Sequence, residues 1–242
     1  MAKTLDRLVV IVIAAGVVYS LLLRPDPIMT ISSQAYHPTN TYRQATAKTI
    51  SSLKDRNKLS FDEAGLKAAL MRQFPEVTDV TVNLPFFGQL PAIHIAVAEP
   101  SLILRGTIGS AEDLVVDSKG TIVGPRSSFS SIKELPVITD ETGFKTSVGK
   151  AVLSQTDVNF ILTILSQTQR ARVPVASLTL PKLPQEVDLR TSDRNYFVRF
   201  YLGGDALTQS GQFLAARQQF DRTNKQPQQY LDVRVTGKIY YK

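Results

Sequence analysis

The sequence predicts an α+β protein: an N-terminal transmembrane helix, then a β-α-α-β-β domain, then a mostly antiparallel β domain with two helices. Three observations predict it. An uncharged apolar run fills residues 8–23 near the start of the 242-residue chain. Beyond it, short segments of alternating apolar residues are separated by stripes at helical spacing. Several strands precede each helix, unlike the regular strand–helix alternation of a parallel α/β fold.

The apolar run, LVVIVIAAGVVYSLLL, is preceded by Lys3 and Arg7, with Asp6 as the nearby acid. Basic residues before an apolar helix place its N-terminus in the cytoplasm. The run falls slightly short of the ~20 residues that cross a ~30 Å hydrocarbon core, and the stems of Lys3 and Arg7 are expected to extend it. A secretory signal would end in a small-residue cleavage triplet, whereas this run ends in leucines followed by Arg24 and Pro25, so an uncleaved anchor is expected. Residues 1–7 then form a cytoplasmic tail, residues 8–23 the membrane helix, and everything after Arg24 lies outside the cytoplasm.

Pro25 and Pro27 stop that helix. Ile28, Met29, Thr30 and Ile31 read as a short strand, and Thr39 or Asn40 can cap a helix running to about Leu53, with Tyr42, Ala45, Thr49 and Leu53 on one face. The run Ser60-Phe61-Asp62-Glu63 marks the next helix by a cap residue with an acid three positions on, followed by Leu66, Leu70 and Phe74 on one face before Pro75. Val80, Val82 and Leu84 alternate with polar residues, as do Ile93, Ile95 and Val97 after a proline-flanked turn, which predicts a hairpin with one buried face. These elements make up a first domain over residues 28–99.

A second domain is expected over residues 101–242. Residues 102–104 and 114–116 read as strands, and Asp117-Ser118-Lys119-Gly120 turns the chain into Thr121-Ile122-Val123. Ser154 can cap a helix striped by Val158, Ile161, Leu162 and Leu165. Residues 175–180, 186–189 and 195–202 are strand candidates, and a helix capped by Asp205 carries Leu207, Leu214 and Phe220. Two strands, residues 230–235 and 238–241, close the chain around Thr236-Gly237.

Composition narrows the function. With 43% hydrophobic and 20% charged residues the chain is of folded type, and its net charge of +7 is diffuse. The densest basic stretch, Lys54-Asp55-Arg56-Asn57-Lys58, reads as a solvated helix end, and no basic stripe or aromatic platform for nucleic acid is present. The absence of cysteine excludes disulfides, thiol nucleophiles and thiolate metal sites. His94 lies on the polar side of its strand, and His37 sits beside Pro38 in a loop without a second ligand at metal spacing. The acidic pairs Glu112-Asp113 and Asp140-Glu141 flank turns, and Gly203-Gly204 lacks the rest of a phosphate loop. The reading is therefore non-enzymatic: no catalytic residue, cofactor, metal or small-molecule substrate is assigned.

Several motifs together resemble the FtsQ/DivIB family of bacterial cell-division proteins. Phe74-Pro75-Glu76-Val77 is similar to the family's Leu-Pro-x-Val. Leu114-Val115-Val116-Asp117 through Gly120-Thr121-Ile122-Val123 is similar to its Val-Asp-x-x-Gly hairpin, and Leu135-Pro136-Val137 to its Leu-Pro element. Tyr230-Leu231-Asp232-Val233-Arg234-Val235 resembles the Tyr-x-Asp-Leu-Arg-Tyr strand near the family's C-terminus. The chain departs from the family at Ser32 to Pro38, where a Gly-Asn turn is usual, at Glu99-Pro100, and at Val235, where an aromatic is frequent. The resemblance implies a POTRA-like first domain, an FtsQ-type β domain, and a single-pass scaffold of the inner membrane at the division septum. It also implies partners of the FtsB/DivIC and FtsL type, docked at the region after the Tyr-x-Asp-Leu-Arg-Tyr strand: Val235, Thr236, Gly237, Lys238, Ile239, Tyr240 and Tyr241. The residues themselves place the last strand at a sheet edge with unpaired backbone groups, flanked by lysines that could equally protect it. A POTRA-bearing secretion or assembly factor and an anchored envelope enzyme are the alternative classes.

Overall fold

The computed structural model describes residues 2–52, 57–106, 112–129, 132 and 134–242, the side chains of residues 2–6 and 52 excepted. The chain divides into two units, Met1–Ala98 and Glu99–Lys242. Lys54, Asp55 and Arg56, and the expected helix end at Leu53, lie outside the described residues.

The predicted transmembrane helix is overturned, because no helix among the described residues is long and apolar enough to cross a membrane. Helix α1 spans Ala2–Leu21. Its first turns carry Lys3, Asp6 and Arg7, so its apolar part, residues 8–21, is roughly 21 Å long against a hydrocarbon core of about 30 Å. The last two leucines of the run are not in the helix at all. Leu22 forms a bridge with Asn57, the Lys58 amide donates to the Leu21 carbonyl at 2.9 Å, and Leu23 is buried. The run that composition reads as one segment is thus split between a helix and a packed connection.

Beyond it, unit 1 runs β1 (Ile28–Ile31), α2 (Thr39–Ser52), α3 (Glu63–Gln73), β2 (Val77–Asn83) and β3 (Ala92–Val97). The sheet order is β1-β3-β2, with β1 parallel and β2 antiparallel to β3. The cap of α3 is Asp62 and not Ser60: its carboxylate accepts the Gly65 amide at 2.7 Å. Leu66 and Leu70 on α3, Phe74 just after it, and Ile93 and Ile95 on β3 are buried as their spacing demands.

Unit 2 runs β4 (Pro100–Gly106), β5 (Asp113–Asp117), β6 (Ile122–Pro125), β7 (Val137–Asp140), α4 (Gln155–Arg170), β8 (Val175–Leu180), β9 (Glu186–Thr191), β10 (Phe197–Tyr201), α5 (Ala206–Thr223), β11 (Tyr230–Asp232) and β12 (Tyr240–Tyr241). These strands form one nine-stranded sheet in the order β12-β11-β10-β9-β8-β7-β4-β5-β6. The sheet is mixed, with five of its eight strand pairings antiparallel, as expected for most of it, and three parallel. β7 pairs parallel with both β4 and β8, and β10 pairs parallel with β11. Two of the three parallel pairings come from β7, a four-residue strand behind Pro136 to which the sequence assigns no strand and which sits between β4 and β8.

One face of the sheet carries α4 and α5. Val158, Ile161 and Ile164 from α4 and Phe213 and Phe220 from α5 pack with Leu178, Leu189, Val198 and Phe200 in one core. Ser154 and Asp157 form a capping box at the start of α4. On α5 the buried face is centred on Phe213, whereas Leu207, expected inside, is exposed.

Gly120 makes the β5–β6 turn at φ +84°, and a Cβ there would lie 2.1 Å from the Leu153 carbonyl oxygen. Both strain and clash oppose any side chain. Gly120→Ala should therefore lower stability by more than about 2 kcal/mol in urea unfolding; a change below about 0.5 kcal/mol would show that the turn relaxes freely.

Candidate partner-docking edge

The two ends of the nine-stranded sheet are built differently. At β6 the outer side is already occupied. Ile122 donates its amide to Lys150 O at 2.9 Å and accepts from the Gly149 amide at 2.8 Å, Val152 donates to Gly120 O at 2.9 Å, and Thr121 bridges Ala151. At the other end the sheet order stops at β12. Leu231 and Asp232 lie opposite Tyr241 and Tyr240 in antiparallel register. Lys242 and Tyr230 exchange both backbone bonds, at 3.2 and 3.4 Å. Antiparallel pairing alternates bonded and non-bonded residue pairs. The amides and carbonyls of Tyr241 and Ile239 therefore point away from β11, toward the open side.

Alternation also separates the two terminal tyrosines. Tyr241 turns to the helical face, where its ring meets Phe220 edge-on at 5.1 Å. Ile239 packs on the same side, against the core. Together with Ala216, Gln219, Phe220 and Thr223 they line an apolar groove of about 440 Å³ between α5 and β12. Tyr240 turns to the opposite face and extends a cross-strand row of Asp188, Arg199 and Asp232.

The remaining predicted docking residues form a turn. Val235, Thr236, Gly237 and Lys238 are exposed, with Gly237 at φ +74°. Gln212 of α5 holds this turn from beneath: its amide nitrogen reaches the carbonyls of Val233 (3.4 Å), Val235 (3.0 Å) and Lys238 (3.3 Å), and its oxygen accepts from Gly237 N at 3.0 Å. Sequence reasoning misses Gln212, because a glutamine on a helix has no signature apart from its partners. Arg234 fixes the strand before the turn, donating to both oxygens of Asp232 at 2.9 and 2.6 Å and to Glu186. Burial pushes the Asp232 carboxyl up, but the hydrogen bonds and charge of Arg234 outweigh it and hold the group below its ordinary value.

The open face behind Tyr240 is a charged and aromatic surface. The Arg199 guanidinium lies 5.1 Å from the Phe197 ring centroid and 4.5 Å from that of Tyr230, and Arg190 lies 5.2 Å from Phe197. Asp188 lies beside them with its Oδ1 buried and unpaired. Desolvation pushes its carboxyl up to about 6 from 3.8, against the pull of Arg199 and with some push from Glu186. Because the folded value is above the unfolded one, the native chain holds the extra proton between these values. The associated stability is complete below about pH 4 and is lost as the pH rises through 6. Asp188→Asn should thus raise stability by about 2 kcal/mol at pH 7.5 and have almost no effect near pH 3.5, as read by denaturant midpoints. A destabilised asparagine variant at pH 7.5 would mean that Arg199 needs the charge.

The candidates for chemistry are held in structural contacts. Glu76 is buried and accepts the Tyr42 hydroxyl at 2.9 Å, with His37 Nε2 at 3.5 Å from the same oxygen. His37, placed in a loop by its sequence, is thus tied to the domain core. His94 is exposed on β3, as its alternation demands. Asp113 pairs with Arg105 at 2.8 Å, and Asp140 accepts from Thr142. Gly203 and Gly204 form the turn before α5, where Gln209 bonds both backbone groups of Tyr201 at 2.9 Å. A larger groove of about 490 Å³ lies at the carboxyl ends of β7 and β8. Its acids Asp140, Asp157 and Glu186 are committed to Thr142, Ser154 and Arg234. Among the described residues no group of three or more histidine, aspartate or glutamate side chains could hold a metal ion.

No family model matches this sequence, and no curated protein matches it.

Proposed function

We propose that this chain is a non-catalytic docking scaffold of the FtsQ/DivIB type. In this reading it works at the division septum, on the outer side of the bacterial inner membrane, and captures FtsB/DivIC-type and FtsL-type proteins during septal wall synthesis. The observation that carries it is the contrast between the two sheet edges. Segment 149–152 closes β6, while β12 leaves outward backbone groups beside an apolar groove. A partner strand added to β12 would gain backbone hydrogen bonds, and its side chains could enter the groove beside Phe220 and Tyr241. The order of motifs from Phe74-Pro75 to Tyr230–Asp232 supports the family reading. The scaffold reading does not depend on a membrane-spanning helix.

Site-specific photo-crosslinking in a dividing bacterium expressing the chain tests it. A photoreactive residue at position 240 or 241 should yield an adduct with an FtsB/DivIC-type protein, and one at position 150 should not. Adducts at 150 alone, or none at 240 and 241, would overturn the reading.

A further inference from the structure

The β2–β3 hairpin of unit 1 ends in a tip that no packing among the described residues explains. Phe86 and Phe87 are 87% and 83% exposed, and their rings meet edge-on at 4.8 Å. Gly88, at φ +94°, turns the chain behind them. Two other segments are tied to this tip by hydrogen bonds. Gln89 donates to Tyr19 O at 2.9 Å and accepts the Arg24 amide at 2.8 Å, which fixes the end of α1. Lys58 donates its ammonium to Phe86 O at 3.3 Å, which fixes the turn after Asn57. The large exposed apolar side chains of the three segments include Leu22, Leu59, Phe86, Phe87 and Leu90, with Arg24, Asp26 and Ser60 exposed among them. Lys58 and Arg24 stand at the rim.

Exposed clusters of large apolar side chains mark interaction sites, and a partner must match their rim. Paired aromatics edged by lysine and arginine match the lipid–water boundary, where rings enter the acyl region and cations meet phosphates. The described side chains of α1 beside the tip, from Leu8 to Tyr19, are exposed around the helix and almost all apolar, so the apolar surface extends beyond the hairpin. We infer that the Phe86–Phe87 tip, with Leu59, Lys58 and Arg24, is a membrane-surface contact that inserts into an anionic bilayer. This contact lies on the membrane and involves no crossing. It is independent of the β12 edge and stands whether or not the scaffold reading does.

The chain contains no tryptophan, so Phe87→Trp supplies a single reporter. The full-length variant is mixed with vesicles of phosphatidylcholine alone or with one-quarter phosphatidylglycerol. The expected result is a blue-shifted emission on the anionic vesicles, with quenching by lipids brominated along the acyl chains. In flotation of the full chain, Phe86→Ser with Phe87→Ser should reduce vesicle affinity by about tenfold or more. Lys58→Glu should reduce the preference for anionic lipid. A circular dichroism spectrum unchanged in each variant separates these effects from misfolding. If the chain floats while Trp at position 87 stays water-exposed, α1 alone binds lipid and the proposal fails. A blue shift that depends on protein concentration without vesicles would assign the tip to a second copy and overturn it equally. Absence of binding to either vesicle also overturns it.

Discussion

Ile239→Pro is expected to weaken capture of an FtsB/DivIC-type partner by about 100-fold, and Ile239→Val by less than about threefold. The Ile239 amide faces the open side of β12, so proline deletes a donor that no bond within the sheet uses. The pyrrolidine ring also occupies the space where a partner strand would lie and restricts Lys238 before it. Valine keeps the amide and most of the side chain that packs beside Tyr241. Calorimetric titration of the two variants against the partner distinguishes loss of backbone pairing from loss of side-chain contact. Equal weakening by both would assign the affinity to the groove. The turn held by Gln212 lies upstream of the substitution and should survive it.

Phe213→Ala should remove about 3–5 kcal/mol of stability from unit 2. Phe213 is fully buried and meets Phe200 edge-on at 6.1 Å, joining α5 to β10 of the sheet. A domain of ordinary stability holds about 5–15 kcal/mol, so this loss would unfold a large fraction near 37 °C. Leu207→Ala, on the exposed side of the same helix, should change stability by less than about 0.5 kcal/mol. Urea unfolding of the two variants fixes which face of α5 is inside; similar losses from both would contradict the packing described.

The phase of α5 shows where sequence reasoning stops. Leu207 and Leu214 lie seven residues apart on one face, while Gln209, Phe213, Ala216 and Phe220 at spacings of four, three and four share another, and only the sheet decides between the faces. Gln209 is buried because it bonds the backbone of Tyr201, a partner that periodicity does not reveal. Helix α4 is easier to read, since Ser154 announces its start and Val158, Ile161, Leu162 and Leu165 follow as an apolar stripe. The hairpin around Gly120 was legible from turn chemistry alone. Strand β7 was not: four residues behind a proline hold little alternation, and its place between two parallel neighbours depends on distant chain.

The first helix failed for a related reason. Hydropathy counts Leu22 and Leu23 with the run, while local structure assigns them to a bridge and to the core of unit 1. At the last strand, the sequence places the seven candidate residues near the chain's end and at a sheet edge, but does not show how they are sorted. Val235, Thr236, Gly237 and Lys238 form a turn pinned by Gln212, Ile239 and Tyr241 share the groove, and Tyr240 faces the other way. That sorting depends on register, which a three-residue and a two-residue strand carry too weakly to read in advance.

The claim that partners add as a strand to β12 is tested most directly by hydrogen exchange at single amides. Exchange at Ile239 and Tyr241 is followed in the full chain with and without a saturating FtsB/DivIC-type partner. Strand addition predicts strong slowing at both amides on binding, with no change at Gly149 and Val152, whose amides are bonded at the closed β6 edge. Tight binding with unchanged exchange at Ile239 and Tyr241 would contradict it.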